Sequence, residues 1–325
     1  MRIIVVALLA PVLAALTLAT ASPAFAVRQG PCVVGKPKGP QCLVWRAKVK
    51  WAADGDTVKP RIWEHGRWSA KTPVRMTAIQ AAELTDYSRR SRRGECTSVK
   101  AARVLDGLVH RRRMRLVSRH NTVGLGDRGR LRRSLQVRVG GRWIDPAMVL
   151  LARGLAIWSS DRAEWPWNGT YSRIAQRAAA SGVGIWNPEA CGRPGPAAGI
   201  PLKMKLRWDA PRGENPNGER IRIRNLDPVR ELPLRGWRVR DGARSLRNGY
   251  RFPRGAVIPP GRSISVRVGR GETRSRVFHW GLTRPVFQNA SYGKKQVGDG
   301  AYLFDPHGEM RAFKQYPCRV ACRAR

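Results

Sequence analysis

Asp54-Gly55-Asp56-Thr57-Val58 is followed, one strand later, by Val74-Arg75-Met76-Thr77-Ala78-Ile79-Gln80-Ala81-Ala82-Glu83. Acids in a tight turn, then an arginine and a glutamate, suit a place where a metal and a phosphate meet, because a hard cation and a guanidinium fork both stabilise phosphate oxygens. Around this stretch, Val44–Trp51 and Thr57–Trp63 alternate apolar and polar residues, and a turn at Glu64-His65-Gly66-Arg67 leads to a strand ending near Ile79. Period-two alternation broken by turn residues predicts a β-meander.

Thr97–His110 changes the rhythm. Val99, Ala102, Val104, Leu105, Leu108 and Val109 recur at helical spacing, with Thr97 or Ser98 available as N-cap. Met114–Val117 and Ser134–Val139 read as further strands, the second ending at a Gly140-Gly141 hairpin turn, and Asn121–Arg133 between them as a long basic loop. Pro146–Gly154 is a second helix with Gly154 as its stop, and Arg173–Ala180 a third. Five strands and three helices in this order predict an α+β unit over residues 43–191, a five-stranded barrel of the oligonucleotide-binding (OB-fold) kind packed with helices.

Residues 1–26 run Met1-Arg2, an almost unbroken apolar stretch, then Ala24-Phe25-Ala26, the pattern of a cleaved signal peptide. An uncleaved anchor is the alternative, opposed by Pro11 and by the cleavage pattern. No other stretch is apolar enough to span a bilayer, so the expectation is a secreted protein, extracellular or on the cell surface, with no stable membrane span after the signal is removed. Residues 27–42, rich in Gly, Pro and Lys, read as an N-terminal arm. All six cysteines lie beyond the signal, which in an exported chain points to disulfides. Sequence proximity pairs Cys32 with Cys42 and Cys318 with Cys322, leaving Cys96 with Cys191, a long loop whose closure is worth on the order of 4–5 kcal/mol. A structural zinc site is disfavoured, since Cys318-x3-Cys322 has no second pair or histidine nearby.

The formal charge is +40, from 62 Lys and Arg against 22 Asp and Glu, and removal of the signal takes away only Arg2. Such an excess attracts polyanions: nucleic acid, lipid or wall-polymer phosphates, acidic polysaccharide. Biased codon usage explains arginine over lysine, but not the scarcity of acids.

Residues 192–199 have the Gly/Pro composition of a linker. Beyond them helical spacing disappears. Arg220–Arg224, Leu234–Arg240 and Ser263–Val268 alternate, separated by Asn-Gly, Asp-Gly and Pro-Pro-Gly signals, which predicts an all-β sandwich over residues 200–317 and a short tail at 318–325.

Residues 44–186 resemble the thermonuclease (staphylococcal nuclease-like) family. The resemblance is carried by Asp54-Gly55-Asp56-Thr57-Val58, by Val74-Arg75 with Glu83 after it, by an arginine opening a strand before a Gly turn, by Arg153-Gly154-Leu155-Ala156 and by Gly184-Ile185-Trp186. It implies a metal-dependent phosphodiesterase acting on DNA or RNA, with Asp56 as a metal carboxylate, Ala81 supplying a backbone carbonyl to the metal, Arg75 and a second arginine on the phosphate, and Glu83 at the attacking water. The second arginine falls on Arg133 if one extra residue sits in the Gly140-Gly141 turn, with Arg130 and Arg132 as alternatives. Gln80 stands where the family has its second calcium carboxylate, so the divalent metal, calcium by resemblance, is expected to bind weakly. Residues 200–317 resemble a lamin-tail domain, an immunoglobulin-like β-sandwich found on secreted bacterial hydrolases, through Asn217–Asn225, Leu234–Gly242, Ile258-Pro259-Pro260-Gly261, His279-Trp280-Gly281 and Asp299–Asp305. That resemblance implies binding or attachment without chemistry.

The expectation is a secreted nuclease with a C-terminal anchoring domain. The rival is a non-catalytic secreted protein that holds DNA or an anionic cell-wall polymer. Trp165-Pro166-Trp167 reads either as a base-stacking platform or, more in keeping with its composition, as packing. Asn168-Gly169-Thr170 fits the glycosylation acceptor pattern, a frequent chance match.

Overall fold

A computed structural model describes residues 28–84, 94–121, 130–191, 197, 199–208, 215–291, 293, 295–320 and 322–323. The signal segment, most of linker 192–199 and the middle of the Asn121–Arg133 loop lie outside the described residues.

The first half contains β1 (Arg28–Pro31), β2 (Gln41–Lys48), β3 (Thr57–Val58), β4 (Arg61–Glu64), β5 (Arg67–Trp68), β6 (Val74–Met76), β7 (Ile79–Ala81), α1 (Ser98–Val109), β8 (Met114–Ser118), β9 (Leu131–Val139), β10 (Arg142–Ile144), α2 (Pro146–Ala152), β11 (Ala156–Trp158) and α3 (Asn168–Ala180). The main sheet runs β3-β6-β9-β8-β2-β4-β5, with β1 pairing β2 and β10 pairing β9. The expected closed barrel is therefore not a closed hydrogen-bonded circuit among the described strands. The path ends at β3 and β5; β3 and β4, the strand next to β5, are separated in the chain by Lys59-Pro60 alone, and Pro60 brings no N–H to the ladder there.

The arm is more than a tether. Arg28–Pro31 pairs antiparallel with Gln41–Val44, and Cys32 N donates to Pro40 O at 2.9 Å, so the Cys32–Cys42 loop is a hairpin. Helix α1 starts where expected, but Thr97 lies in the left-handed region and makes no side-chain cap bond. Helix α2 is capped by Asp145, whose carboxylate accepts from Ala147 N, with Pro146 in the first turn. Helix α3 begins five residues before the expected start, at Asn168, because Trp167, Tyr171 and Ala175 bury its first turns against the core.

The second half is built from β12 (Leu202–Arg207), β13 (Arg220–Asn225), β14 (Leu232–Pro233), β15 (Arg238–Arg240), β16 (Tyr250–Arg251), β17 (Val257–Ile258), β18 (Ser263–Gly269), β19 (Val277–Leu282), β20 (Asp299–Phe304) and β21 (Met310–Tyr316). Sheets β12-β13-β18-β19 and β16-β15-β20-β21 enclose a core that includes Ile221, Ile223, Trp237, Val239, Ile264, Val266, Ala301 and Leu303. Trp237 is core, as expected. The chain is thus mostly β with three α-helices, ending in an immunoglobulin-like sandwich. Among the described residues no helix is long and apolar enough to cross a membrane.

Strand β20 is buried on both faces. Ala301 and Leu303 fill the sandwich, while Tyr302 and Phe304 point out and pack, with Met310 and Phe313, against Ile157, Ala178, Ile185 and Trp186 of the first half. Trp186 meets the Phe313 ring edge-on, centroids 4.9 Å apart. Polar contacts surround this apolar seam. Gln176, fully buried, donates to Pro317 O at 2.9 Å and accepts from Arg319 N at 2.7 Å and Val320 N at 2.8 Å, which docks the tail on α3. Asn168 is buried there too, donating to Lys295 O at 3.0 Å, so it is no glycosylation acceptor. All three expected cysteine pairs lie at disulfide distance, with Cα separations of 5.0 Å (Cys32–Cys42), 5.7 Å (Cys96–Cys191) and 5.2 Å (Cys318–Cys322).

Candidate active site

Gly55 lets the acidic turn pass between a strand and a helix: a Cβ there would stand 2.8 Å from the Cβ atoms of both Ala81 and Ala101. The next two residues enter β3, where Thr57 pairs with Arg75 and Val58 with Val74. This register sets Asp56, almost fully buried, beside Arg75. Asp56 Oδ1 accepts from Arg75 Nη1 at 3.0 Å and from Thr57 Oγ1 at 3.0 Å, and Oδ2 accepts from Ala81 N at 2.9 Å.

Ala78, in the left-handed region at φ 59°, reverses the chain between β6 and β7. The turn returns Gln80 to Arg75, whose Nη2 donates to Gln80 Oε1. Gln80 Nε2 in turn donates to Ala81 O and to Glu83 Oε1, both at 3.0 Å. Glu83 is tied at its backbone to Glu95, which the sequence reading passed over: Glu83 N donates to Glu95 Oε2 at 3.1 Å and Glu95 N to Glu83 O at 2.9 Å. Asp56, Arg75, Gln80, Ala81 and Glu83, the set that the resemblance implies, therefore lie together.

The acids are strained by their company. Burial, then the Asp56 charge, then that of Glu83, push Asp54 up to about 7. Burial and Asp56 likewise raise Glu83 above the usual carboxylate range, with Arg75 and the Gln80 amide pulling it partly back. A carboxyl raised in this way can take up a proton near neutral pH.

As arranged, the donor set does not fit a calcium ion. The Gln80 carbonyl is engaged by Arg75, and the Gln80 NH2 group, a donor, points at the two oxygens, Ala81 O and Glu83 Oε1, that a cation would need.

The second arginine is not where the extra-residue alignment put it. In the parallel pairing of β6 with β9, Arg75 stands opposite Arg132 and Met76 opposite Arg133. Arg133 is buried with its guanidinium 4.8 Å from the Trp45 ring centre, donating to Arg132 O at 2.7 Å and Asn121 O at 2.6 Å. Burial holds it below the usual arginine range, with Glu164 and Glu64 opposing. Arg130 and Arg132 instead line the cleft next to Arg75, Gln80 and Glu83, and Arg132 pairs with Asp161 at 2.9 Å. The cleft, about 620 Å³, continues past Ser159–Asp161 to a second wall of Ala243, Arg244, Ser245, Arg247 and Asn248, all from the sandwich. Nothing in the sequence marked these residues, because they come from the other domain.

Two other motif segments meet as structure. Ile185 N donates to Gly154 O at 2.8 Å, joining Arg153-Gly154-Leu155-Ala156 to Gly184-Ile185-Trp186. In Trp165-Pro166-Trp167, Trp167 is fully buried as packing, and Trp165 faces Arg119 at 5.3 Å.

Residues 209–317 match the family model of the Lamin Tail Domain, an immunoglobulin-like fold, in agreement with the sandwich. No curated protein matches the chain. The thermonuclease-like reading of residues 43–191 receives no support from these comparisons.

Proposed function

We propose that the protein is a secreted phosphodiesterase acting on nucleic acid, with a C-terminal domain that anchors it to polyanion. The observation that carries this reading is the placement of Arg75, oriented by Asp56 at 3.0 Å, beside Glu83, whose carboxyl is raised by burial, in a cleft lined by further arginines. In this reading Arg75 and Arg132 hold the scissile phosphate. Their fixed forks stabilise the charge that gathers on its equatorial oxygens as the bond breaks. Glu83 takes the proton of the attacking water, and Gln80 fixes the Glu83 carboxyl toward the arginine. No metal-dependent step is assigned, since the arranged donors do not present oxygens to a cation. An OB-type barrel is proposed for the first half: residues 57–64 run from β3, at one end of the sheet path, to β4, next to the other end, interrupted only at Lys59-Pro60.

The test is incubation of the purified mature protein with plasmid and single-stranded DNA or RNA, in calcium, magnesium, manganese or EDTA, beside Glu83→Ala. Cleavage in any of these conditions that falls about a hundredfold or more in the variant supports the reading. No cleavage above Glu83→Ala in all of them sinks it.

A second reading, polyanion binding without hydrolysis, is favoured by one feature of the sandwich. On the sheet away from the first half, Lys203 pairs with Arg224, Lys205 with Arg222, and Arg207 with Arg220, which also pairs with Arg267. Like charges directly opposite destabilise a sheet, so such a ladder makes sense as a surface for phosphate or other anions. The two readings are compatible, with the ladder as anchor and the cleft as the reacting site.

A further inference from the structure

The sandwich does more than sit beside the cleft: one wall of the cleft is made of it, through the 3-10 turn Leu246–Asn248 and the residues just before it. That wall is tied to the glutamate proposed as base. One carboxylate, Glu95, accepts from Glu83 N through Oε2 at 3.1 Å and from Leu246 N through Oε1 at 2.6 Å. The seam behind it is a packed one, with Trp186 between Tyr302 and Phe313, and Ser160 O accepting from Gln288 Nε2 at 2.8 Å. The wall is thus held in place by the same contacts that join the domains.

Its chemistry is cationic. Arg244 and Arg247 line the same space as Arg75, Arg130 and Arg132, while Glu83 and Asp161 are the acids among the described lining residues. Arg247 is exposed, and Arg244 is partly held by Asp241 at 3.6 Å. Five arginines against two acids give the described lining an excess of positive charge, which favours phosphate between its walls.

We infer that Arg244 and Arg247 of the sandwich bind the phosphates flanking the one held at Arg75, so that the site for a single nucleic-acid strand is shared by both domains. The inference rests on the phosphodiesterase reading for the central phosphate, but its binding test does not need hydrolysis. The cleft is a crevice between the two domains, and a single strand is the occupant we assign to it.

The experiment uses the full mature chain and fluorescent oligothymidylate, titrated over a range of salt concentrations, for the parent, Arg247→Gln, Arg244→Gln with Arg247→Gln, Arg75→Ala, and Arg254→Gln as an exposed sandwich arginine outside the cleft. For single strands each lost phosphate contact lowers the slope of log K against log salt by about 0.7. The slope is expected to fall by about 0.7 in Arg247→Gln and by about 1.4 in the double variant, with no fall in Arg254→Gln and no effect on a dinucleotide too short to reach both walls. In cleavage, the double variant raises KM several-fold for the long strand and leaves kcat unchanged.

If Arg75→Ala abolishes cleavage while the Arg244 and Arg247 variants keep the parental slope and KM, the shared site is refuted and the phosphodiesterase reading survives. If nothing cleaves but the slopes fall as stated, the shared site stands and the hydrolytic reading fails. An equal fall in Arg254→Gln, or a duplex that competes as well as a single strand, overturns the inference. Should the double variant melt early, exposed Arg247→Gln alone decides.

Discussion

Arg132 stands opposite Arg75 in the parallel pairing of β6 and β9, and the two share a face that opens on the cleft. Arg133, one residue on, shares the face of buried Met76. The two neighbours therefore respond differently to removal. Arg132→Ala is expected to lose about a hundredfold in kcat/KM, together with the stability that its ion pair to buried Asp161 contributes. Arg133→Ala is expected to lose about 1–3 kcal/mol of stability in urea unfolding, because it leaves Arg132 O and Asn121 O without their donor and empties the space over the Trp45 ring. Equal kinetic losses with unchanged stability in both would contradict the assigned faces.

Gln80 supplies a neutral amide where calcium binding calls for a carboxylate. Gln80→Asp removes the NH2 group aimed at Ala81 O and Glu83 and adds a negative charge. Calorimetry should show calcium affinity rising on the order of tenfold or more over the parent. Identical heats for the two proteins would mean that these oxygens do not face a common point.

Asp54 makes stability depend on pH. Its ordinary value is 3.8 and the folded protein holds it at about 7, so the neutral acid is the form the fold favours. Its contribution is complete below its ordinary value and is lost as pH rises through about 7. Thermal melts in EDTA should show Asp54→Asn gaining on the parent between those limits, the gap levelling off above them. A gap that is constant with pH would exclude the assigned environment.

Trp186 belongs to the first half but packs on Tyr302 and Phe313 of the sandwich. Trp186→Ala is expected to cost about 3–5 kcal/mol and to split a joint unfolding transition into two, visible by calorimetry. A single unshifted transition would show that the seam contributes little.

The cation ladder on β12 and β13 offers a stability gain. Arg222→Gln removes a like-charge pair with Lys205, and should raise stability by about 0.2–1 kcal/mol while weakening DNA binding at low salt. Unchanged DNA binding would leave the ladder without its anchoring role.

Local reading went furthest where neighbours in sequence are neighbours in space. The Asp54-Gly55-Asp56 turn, the return at Ala78 and the Gln80–Glu83 run meet through the pairing of β3 with β6 and the turn into β7, and a family resemblance had already grouped Asp56, Arg75, Gln80 and Glu83. The same holds for α1, whose apolar spacing is regular, and for the Cys32–Cys42 and Cys318–Cys322 pairs. It failed at the start of α3, read at Arg173, because tertiary burial of Tyr171 extends the helix back to Asn168.

From the sequence alone came the lamin-tail sandwich, the three cysteine pairs and, through a family resemblance, the grouping of Asp56, Arg75, Gln80 and Glu83. The tertiary structure decided two further matters. Which arginine joins Arg75 depends on strand register, and a shift of one residue moves a side chain to the opposite face. That the sandwich forms a wall of the cleft depends on Tyr302 and Phe304 facing outward under Trp186, and in an alternating strand an apolar residue that docks a neighbouring domain looks the same as one that fills the core.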